Sequence, residues 1–342
     1  MKTQFVVSNQ TNPYWNIAVE NYLLSLPESE TITLYLWRNH RTVVIGQNQN
    51  PFSECNVEAL EADGGYLMRR KTGGGAVYHD DGNINFSFVV PKKYYDQTRQ
   101  FSVIQRAVLD FGIASELSGR NDLLAFERDR SGANGATSTE RDRSGANEAS
   151  TEGRKFSGNA FSRGRYQDLH HGTILIKGNI EDLQRYLKPK PAKLLKHGVD
   201  SVRSRVVNLS EINPEITSEN IVPHLKAAFE EIYGMQAVTL DFKDIITHPE
   251  VRKLYDEFAS DEWRYNKWKN FTAQRSAQFE WGGVEVSLDI SNGVIRGVRI
   301  ASDALDTESI EKARNLLCGA SVSAVPPRQG NIVVDDIVSL LF

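Results

Sequence analysis

Residues 69–80 read RRKTGGGAVYHD, a glycine-rich turn with basic residues before it and apolar residues after it. Three successive glycines have no Cβ, so the backbone there can adopt positive φ and bring its N–H groups against a ligand, as phosphate-binding turns do. A tight turn between two strands is the alternative interpretation. Arg70 and Lys71 favour an anion site, because flanking cations suit a negatively charged ligand. The turn lacks the G-x-x-x-x-G-K-[ST] pattern of a P-loop, and the residues after it predict strands rather than a helix.

The composition is that of an ordinary globular protein. The chain has 342 residues, 40% of them apolar and 25% charged, which predicts two domains or one large domain with an appendage. A net charge of −4 argues against nucleic-acid binding through a general positive field. The apolar runs stop well short of the roughly 18 residues that a membrane helix needs, and the run at the N-terminus is too short for a signal peptide. We therefore expect a cytoplasmic protein that binds neither nucleic acid nor membranes.

The two cysteines give no sign of a metal or disulfide framework. Cys55 and Cys318 are far apart in unlike contexts, and no C-x-x-C spacing is present. Neither a zinc site nor a disulfide is therefore predicted.

The first third of the chain predicts an α/β domain with a mixed sheet. Asn12 and Pro13 mark the start of a helix, and apolar residues at helical spacing predict an amphipathic helix over 103–111. The other predicted elements are an edge strand at 5–8, a hairpin formed by strands 31–37 and 42–46, a short helix at 56–63, and a strand at 66–69 that leads into the glycine turn.

Two polar segments follow. Residues 118–122 (SGRND) bring a cation, an amide and a carboxylate together in one turn, although a solvated loop explains them equally well. Residues 127–153 contain the octapeptide ERDRSGAN twice, at 127–134 and 140–147, and no Val, Ile, Leu, Met or aromatic residue. Such a segment cannot bury apolar surface to offset the entropy of ordering. We predict a disordered or very mobile insertion made by duplication.

Two later segments carry titratable or basic side chains. His170 and His171 open a predicted strand, and structural hydrogen bonding is favoured over a metal site because no Cys, Asp or Glu pattern completes one. Residues 188–205 form a basic loop that includes Arg203 and Arg205. It is either a solvated surface or a segment that closes over an anion bound at the glycine turn.

The C-terminal third has a different pattern of predicted helices and strands. A long helix is predicted at 218–233, ended by Gly234, and a linker at 235–248. Beyond residue 250 we predict a small α+β domain, with a hairpin turning at 291–293, a helix capped by Thr307 and a short final helix at 335–341. The predicted domains are therefore 1–245, with the insertion at 127–153, and 250–342.

Taken together, the motifs resemble the lipoate–protein ligase family of the biotin/lipoate ligase superfamily. They lie at residues 69–80, 118–122, 154–158, 170–173 and 201–205. The resemblance extends from Asn12 to the WGGVE segment at 281–285, apart from the repeated insertion. It implies a mixed-sheet catalytic domain with helices and a small α+β accessory domain at the C-terminus.

The resemblance also implies a two-step reaction. Lipoate and ATP, with Mg²⁺, give lipoyl-AMP and pyrophosphate, and the lipoyl group then passes to a lysine of a lipoyl-domain protein. The implied acceptors are acyltransferase subunits of 2-oxoacid dehydrogenases and the H protein of glycine cleavage. A monomeric enzyme is expected.

The same resemblance assigns the site. Arg70 and the backbone of Gly75, Ala76, Val77 and Tyr78 hold the nucleotide phosphates, while Lys155 reaches both the acyl carboxylate and the α-phosphate. The residues assigned to lipoate are Lys155, Gly74, Gly75, His79 and His171. The supporting residues are Asp122, which could bind the metal or orient the nucleotide, and Asn83, Arg203 and Arg205.

Residue chemistry agrees with this assignment. A carboxylic acid is already ionised at neutral pH, so the first step needs no base, but cations must offset the repulsion between carboxylate and triphosphate. The attacking lysine of the second step must lose a proton. His79 and Asp122 are the candidate acceptors.

Three alternatives remain open. A biotin–protein ligase would carry a G-R-G-R-x-G-R turn, which this sequence lacks. An octanoyl or lipoyl transferase of the same superfamily could use a cysteine thioester, but Cys55 lies outside the motifs. A non-catalytic lipoyl-binding protein would have little use for both Arg70 and Lys155.

Overall fold

The computed structural model describes residues 1–27, 30–119, 121–126, 153–188, 206–265, 273–291, 294–321, 324 and 326–341. The strands are β1 (Lys2–Val7), β2 (Thr31–Trp37), β3 (Thr42–Ile45), β4 (Tyr66–Arg69), β5 (Val77–His79), β6 (Asn83–Pro91), β7 (Ala114–Ser118), β8 (Asp122–Phe126), β9 (Arg154–Arg163), β10 (Gln167–Leu175), β11 (Val238–Leu240), β12 (Ala273–Phe279), β13 (Gly282–Ser291) and β14 (Val294–Ser302). The helices are α1 (Pro13–Ser25), α2 (Pro51–Glu54), α3 (Val57–Ala62), α4 (Gln97–Leu109), α5 (Ile180–Tyr186), α6 (Leu209–Ile212), α7 (Ile221–Tyr233), α8 (Phe242–Ile246), α9 (Pro249–Ala259), α10 (Asp261–Tyr265), α11 (Thr307–Leu317) and α12 (Ile332–Ser339).

A large mixed sheet forms the framework, as predicted. Its strand order is β11-β1-β2-β6-β10-β9-β8-β7. The β11-β1-β2 end is parallel, and the remaining pairs are antiparallel. Helices α4 and α7 pack on one face of this sheet around Phe86, Phe88 and Phe229. Helices α1 and α9 belong to the core on the other face.

A second, smaller sheet carries the glycine turn. Its order is β4-β3-β5, with β3 parallel to β4 and antiparallel to β5. The turn is the connection between Arg69, where β4 ends, and Val77, where β5 begins. Val44 and Met68 of this sheet share a core with Tyr35 and Trp37 of the large sheet. The turn is therefore held against the α1 face of the large sheet.

Three element predictions are wrong. β1 is not an edge strand, because it lies between β2 and β11. β2 and β3 do not form a hairpin but belong to different sheets. Both strands are buried along almost their whole length, so alternation of polar and apolar residues could not indicate their partners. The predicted linker at 235–248 contains β11 and α8, which pack on the main body.

The C-terminal part is a three-stranded sheet, β12-β13-β14, covered by α11 and α12 around its own apolar core. Helix α11 is capped by Asp306 and not by Thr307, since the Asp306 side chain accepts a hydrogen bond from the Ser309 backbone. Helix α9, which the sequence assigns to the C-terminal domain, packs through Val251 and Phe258 into the core that contains α1. The two-domain division stays a prediction, and this packing favours a boundary after Tyr265.

Some predicted features lie partly outside the described residues. Of the repeated insertion, only Gly153 is described, but β8 and β9 on either side of it are paired, with Ala125 opposite Arg154. The hairpin turn at 292–293 is also outside, although Ser291 pairs with Val294. Among the described residues, no helix has the length and apolar character needed to cross a membrane.

Candidate active site

Arg70 shapes the glycine turn from within. It is buried, and its guanidinium donates hydrogen bonds to the Thr72 hydroxyl (3.0 Å) and to the carbonyls of Gly73 (2.7 Å), Gly75 (2.8 Å) and Val44 (3.3 Å). Burial lowers the pKa of Arg70 to about 10, and Glu20 opposes this effect. The side chain is therefore charged at neutral pH. The guanidinium fixes the conformation of the turn by holding the turn's own carbonyls.

The other two basic residues of the turn, Arg69 and Lys71, contact helices α9 and α10. Arg69 is buried and donates to the carbonyls of Gln47 (2.9 Å) and Gln49 (2.7 Å) and to that of Trp263 in α10 (3.0 Å). The ammonium of Lys71 lies 3.6 Å from the Glu257 carboxylate and 5.0 Å from the Phe258 ring, both in α9, and 5.6 Å from the ring of Trp263. Both cations thus stabilise packing between the turn and α9–α10. Lys71, which the sequence suggested as a cation for an anion site, is engaged here in a different contact.

The three glycines of the turn have different surroundings. A Cβ on Gly73 would lie 2.2 Å from the Ala304 carbonyl oxygen. Gly74 has φ of +92°, and its N–H donates to the same Ala304 carbonyl at 3.0 Å. A Cβ on Gly75 would meet nothing within 4 Å among the described residues. The first two glycines therefore contact the C-terminal part of the chain, while the third faces open space.

Replacing Gly73 by alanine is expected to separate the C-terminal part from the turn, because the new methyl group would collide with the backbone at Ala304. Small-angle scattering should show a larger radius of gyration for Gly73→Ala than for the parent. Gly75→Ala adds the same methyl group where there is room, and should leave the radius unchanged. Equal radii for all three proteins would contradict this assignment.

Lys155 and Asp122, which the sequence analysis assigned to separate motifs, meet on adjacent strands. The Lys155 ammonium lies 2.8 Å from the Asp122 carboxylate, and each side chain is about one-third exposed, at 37% and 32%. Asp122 pairs with Gly158 across β8 and β9, and the Lys155 ammonium lies directly over Gly158, 3.0 Å from where its Cβ would be. An accessible cation next to a carboxylate at the sheet surface is suited to receive a second anion.

A network of buried polar side chains contacts the glycine turn through Thr72. Glu20 of α1, only 1% exposed, lies 2.8 Å from Nδ1 of His171, whose Nε2 lies 2.9 Å from the Thr72 hydroxyl. Ser87 also donates to Glu20 (2.6 Å) and in turn accepts from the Trp37 indole (2.9 Å). The network connects α1, the large sheet and the glycine turn, since Thr72 also accepts from Arg70.

Glu20 and Ser87 were not singled out in the sequence. The signal that could have identified Glu20 is its position in α1, because a carboxylate is unusual in a helix that is buried on nearly every side. An ionisable side chain in such a helix must find a partner inside the protein. The sequence alone did not identify His171 as that partner.

The two histidines of β10 point to opposite faces of the sheet. His170 packs against Phe101 and Phe161 in the α4 core, between Gln100 (2.8 Å) and Asn159 (3.0 Å). Burial lowers its pKa well below the usual value. No group of three or more His, Cys, Asp or Glu side chains suited to a metal occurs among the described residues. The hydrogen bonds and ring contacts of His170 are those of a structural residue, while His171 faces the turn.

His79 lies between the two sheets. Its ring centroid is 6.2 Å from that of Trp37, and its Nδ1 is 3.3 Å from the Asn39 amide nitrogen. Burial, with smaller effects from Arg70 and His171, lowers the pKa of His79 to about 3. The imidazole is neutral at pH 7 and accepts a proton poorly, which weakens its candidacy as the proton acceptor.

The remaining predicted residues lie around the turn or outside the described structure. Tyr78 donates from its hydroxyl to Asp182 of α5 (3.2 Å) and packs on Tyr186. Asn83 is buried at the start of β6 and donates to Asn85 (3.0 Å). The predicted supporting residues Arg203 and Arg205 fall outside the described residues.

Comparisons with known proteins find family matches over most of the chain. Residues 12–230 match the model of the lipoyl protein ligase A/B catalytic domain, and residues 269–325 match that of the bacterial lipoate protein ligase C-terminus. The chain is 38% identical to lipoate-protein ligase A of Psychrobacter cryohalolentis, over 93% of this chain and 88% of that protein. It is 34% identical to lipoate-protein ligase A of Bdellovibrio bacteriovorus, with the same coverage of both chains.

Among solved structures, lipoate ligases also match this chain. P. falciparum LipL1, solved in complex with lipoate, is 30% identical, has a TM-score of 0.78 and is matched over 98% of both chains. A bi-partite lipoate protein ligase from Thermoplasma acidophilum has a TM-score of 0.62 at 22% identity, over 80% of this chain and 100% of that one. This second likeness shows a shared fold.

Proposed function

The chain belongs to the lipoyl protein ligase A/B family, and from this membership and the site geometry we propose that it activates lipoate with ATP and transfers the lipoyl group to a lysine of an acceptor protein. The observation that carries the proposal is the pair of Lys155 and Asp122, 2.8 Å apart. The pair lies on the same face of the large sheet as His171, which contacts Thr72 of the glycine turn. One site thus contains a cation and a turn that presents backbone donors.

In the first step, a lipoate carboxylate oxygen attacks the α-phosphorus of ATP. A new P–O bond forms, the bond between the α-phosphorus and its bridging oxygen breaks, and pyrophosphate leaves with the electron pair. Lys155 counters the repulsion between the two anions by facing both, while the N–H groups of the turn stabilise charge on the phosphates. Gly75, which faces open space, is the position in the turn where a phosphate can approach most closely.

In the second step, the acceptor lysine nitrogen attacks the acyl carbon of lipoyl-AMP. The amide bond forms, the acyl–phosphate bond breaks, AMP leaves, and the nitrogen loses a proton. Asp122 suits the role of proton acceptor better than His79, because it is an accessible carboxylate beside the cation and His79 is a buried, weakly basic imidazole.

A transferase that forms a thioester on Cys55 is disfavoured. Cys55 is fully buried, and burial raises its pKa to about 12. The thiolate required for attack is therefore scarce at neutral pH.

Magnesium would enter with ATP. Mg²⁺ prefers phosphate and carboxylate oxygens and keeps several waters. Asp122 is the residue that would hold the ion, and the phosphates would supply most of its other ligands. When bound, the ion would neutralise charge on the phosphates. A monomeric state and a cytoplasmic location remain predictions from the sequence.

Mass spectrometry tests the proposed activity. The protein is given ATP and magnesium with equal amounts of lipoate, octanoate and biotin, without an acceptor protein. We expect lipoyl-AMP, with or without octanoyl-AMP, and no biotinyl-AMP. Formation of biotinyl-AMP alone, or of no acyl adenylate, would overturn the proposal.

Deleting one repeat, residues 127–139, should change the rate of lipoyl-AMP formation by less than about threefold, because loop closure costs only about 0.6 kcal/mol per doubling of length. The paired residues Ala125 and Arg154 hold the two ends together without the repeat. The rate is measured by pyrophosphate release. A loss greater than about tenfold in a protein with a normal circular dichroism spectrum would show that the insertion shapes the nucleotide site.

The same deletion tests a second role. If the arginines of the repeat guide an acidic acceptor domain to the site, the deletion would leave adenylate formation intact but slow transfer, more strongly at low salt. Transfer rates at two ionic strengths separate this case from a dispensable loop.

A further inference from the structure

Two buried nitrogen atoms beside Trp37 have no hydrogen-bond partner among the residues that the structure describes. They are Nε2 of His79 and Nδ2 of Asn85, in side chains that are 4% and 1% exposed. Asn85 is the residue opposite Trp37 in the pairing of β6 with β2, and the His79 ring packs edge-on to Trp37. Polar atoms in such positions are nearly always satisfied in the working state of a protein.

Both atoms are donors. Nδ1 of His79 faces the amide nitrogen of Asn39, so in the neutral ring Nδ1 accepts and Nε2 carries the hydrogen. The Asn85 carbonyl oxygen accepts from Asn83, which leaves its NH₂ group without an acceptor. The natural complement of these two donors is therefore an acceptor supplied by a ligand.

A row of paired residues connects these donors to Lys155. Across the large sheet, Asp122 pairs with Gly158, Gly158 donates to the Thr173 hydroxyl, Thr173 pairs with Asn85, and Asn85 pairs with Trp37. Neighbouring strands are about 4.8 Å apart, so Asn85 lies roughly 10 Å from Gly158, over which the Lys155 ammonium sits. Residues paired in this way project from the same face of the sheet.

The separation matches the length of the substrate. An extended chain advances about 1.2 Å per bond, so the carbon chain of a medium-length acid spans about 8 Å. If the carboxylate contacts Lys155, the far end of the acid reaches Asn85, His79 and Trp37. In lipoate this end is a dithiolane whose sulfur atoms are weak acceptors and pack well against aromatic rings. In octanoate it is a methyl group that cannot accept a hydrogen bond.

From this arrangement we infer that Asn85 and His79 select lipoate over a saturated acid of the same length, by donating N–H groups to the dithiolane sulfurs. The inference rests on the proposed function. A saturated chain leaves both donors buried without a partner, and this mismatch is the source of the discrimination. Trp37 provides a fixed wall, because its indole is held by Ser87, which is held by Glu20.

The test is a competition between lipoate and octanoate for adenylation, which gives the ratio of their kcat/KM values in one sample. In Asn85→Leu, which keeps the volume but removes the donor, the ratio of lipoate to octanoate should fall about tenfold, because a sulfur acceptor is weaker than oxygen. Asn85→Ala, which also lacks the donor, should lower the ratio as well and serves if the leucine variant does not fold. Asn159→Leu removes a buried amide from the opposite face of the same sheet and should leave the ratio unchanged.

An unchanged ratio in folded Asn85 variants would overturn the inference, as would an equal fall in Asn159→Leu. Failure of the proposed function is distinguishable, because the parent protein would then form neither acyl adenylate.

Discussion

Lys155→Ala should lower the rate of lipoyl-AMP formation by about 10²–10³-fold or more, the loss typical of removing one preorganised group that stabilises transition-state charge. Lys155 is a partly exposed cation next to Asp122 at the surface of the large sheet. Without it, the carboxylate must approach the α-phosphate against uncompensated like charge. The mutation should also slow transfer from synthetic lipoyl-AMP. Stability should change little, since a partly exposed ion pair contributes about 0–1 kcal/mol.

The control is Lys226→Ala, which removes another lysine–carboxylate pair, with Glu230 on α7 at 3.8 Å, and should leave the rate unchanged. Lys155→Arg should also be poor, because a planar guanidinium cannot replace a compact ammonium between two anions. Pyrophosphate release at the parent rate by folded Lys155→Ala would show that Lys155 does not serve the first step.

Arg70→Lys should damage both activity and stability. The guanidinium of Arg70 donates to the Thr72 hydroxyl and to carbonyls of Val44, Gly73 and Gly75. A lysine at this position retains the charge but cannot reach acceptors on several sides at once. We expect the free energy of unfolding to fall by about 3 kcal/mol, from buried acceptors left unsatisfied. Adenylation should fall about 10²-fold as the turn's N–H groups lose their orientation.

Denaturant unfolding and pyrophosphate release measure the two effects. Arg252→Lys, at an exposed position in α9, is the control and should change neither quantity. If Arg70→Lys retains the parent's stability and rate, the hydrogen bonds within the turn are unimportant, and Arg70 acts at most as a general positive charge.

Much of the fold could be predicted because it rests on local signals. The glycine turn, strand β4 before it and helix α7 with its Gly234 cap were recognisable from residue type and spacing alone. The partners of fully buried strands were not. β2 and β3 are apolar on both faces, so nothing in their pattern assigns them to different sheets. β11 is only three residues long, so its sequence pattern is too short to predict a strand. It is recognised as one from its pairing with β1.

The residues of the candidate site also divide into those that could be predicted from the sequence and those that could not. Lys155, Asp122 and His171 belong to separate sequence motifs, and the structure places them on one face of the sheet. Glu20 could not be assigned, because its role depends on His171, far away in the chain. Asn85 was not singled out, since a polar residue in an apolar strand shows its role only when its missing partner is visible.

The central claim is that lipoate is activated as an adenylate at this site before transfer. The most direct test uses lipoate with heavy oxygen in both carboxylate positions, together with ATP, magnesium and an acceptor lipoyl domain, and determines the mass of the AMP produced. Attack of the carboxylate on the α-phosphorus predicts that AMP carries one heavy oxygen and the new lipoyl-lysine amide carries the other. AMP without the label, alongside a lipoylated acceptor, would contradict the account.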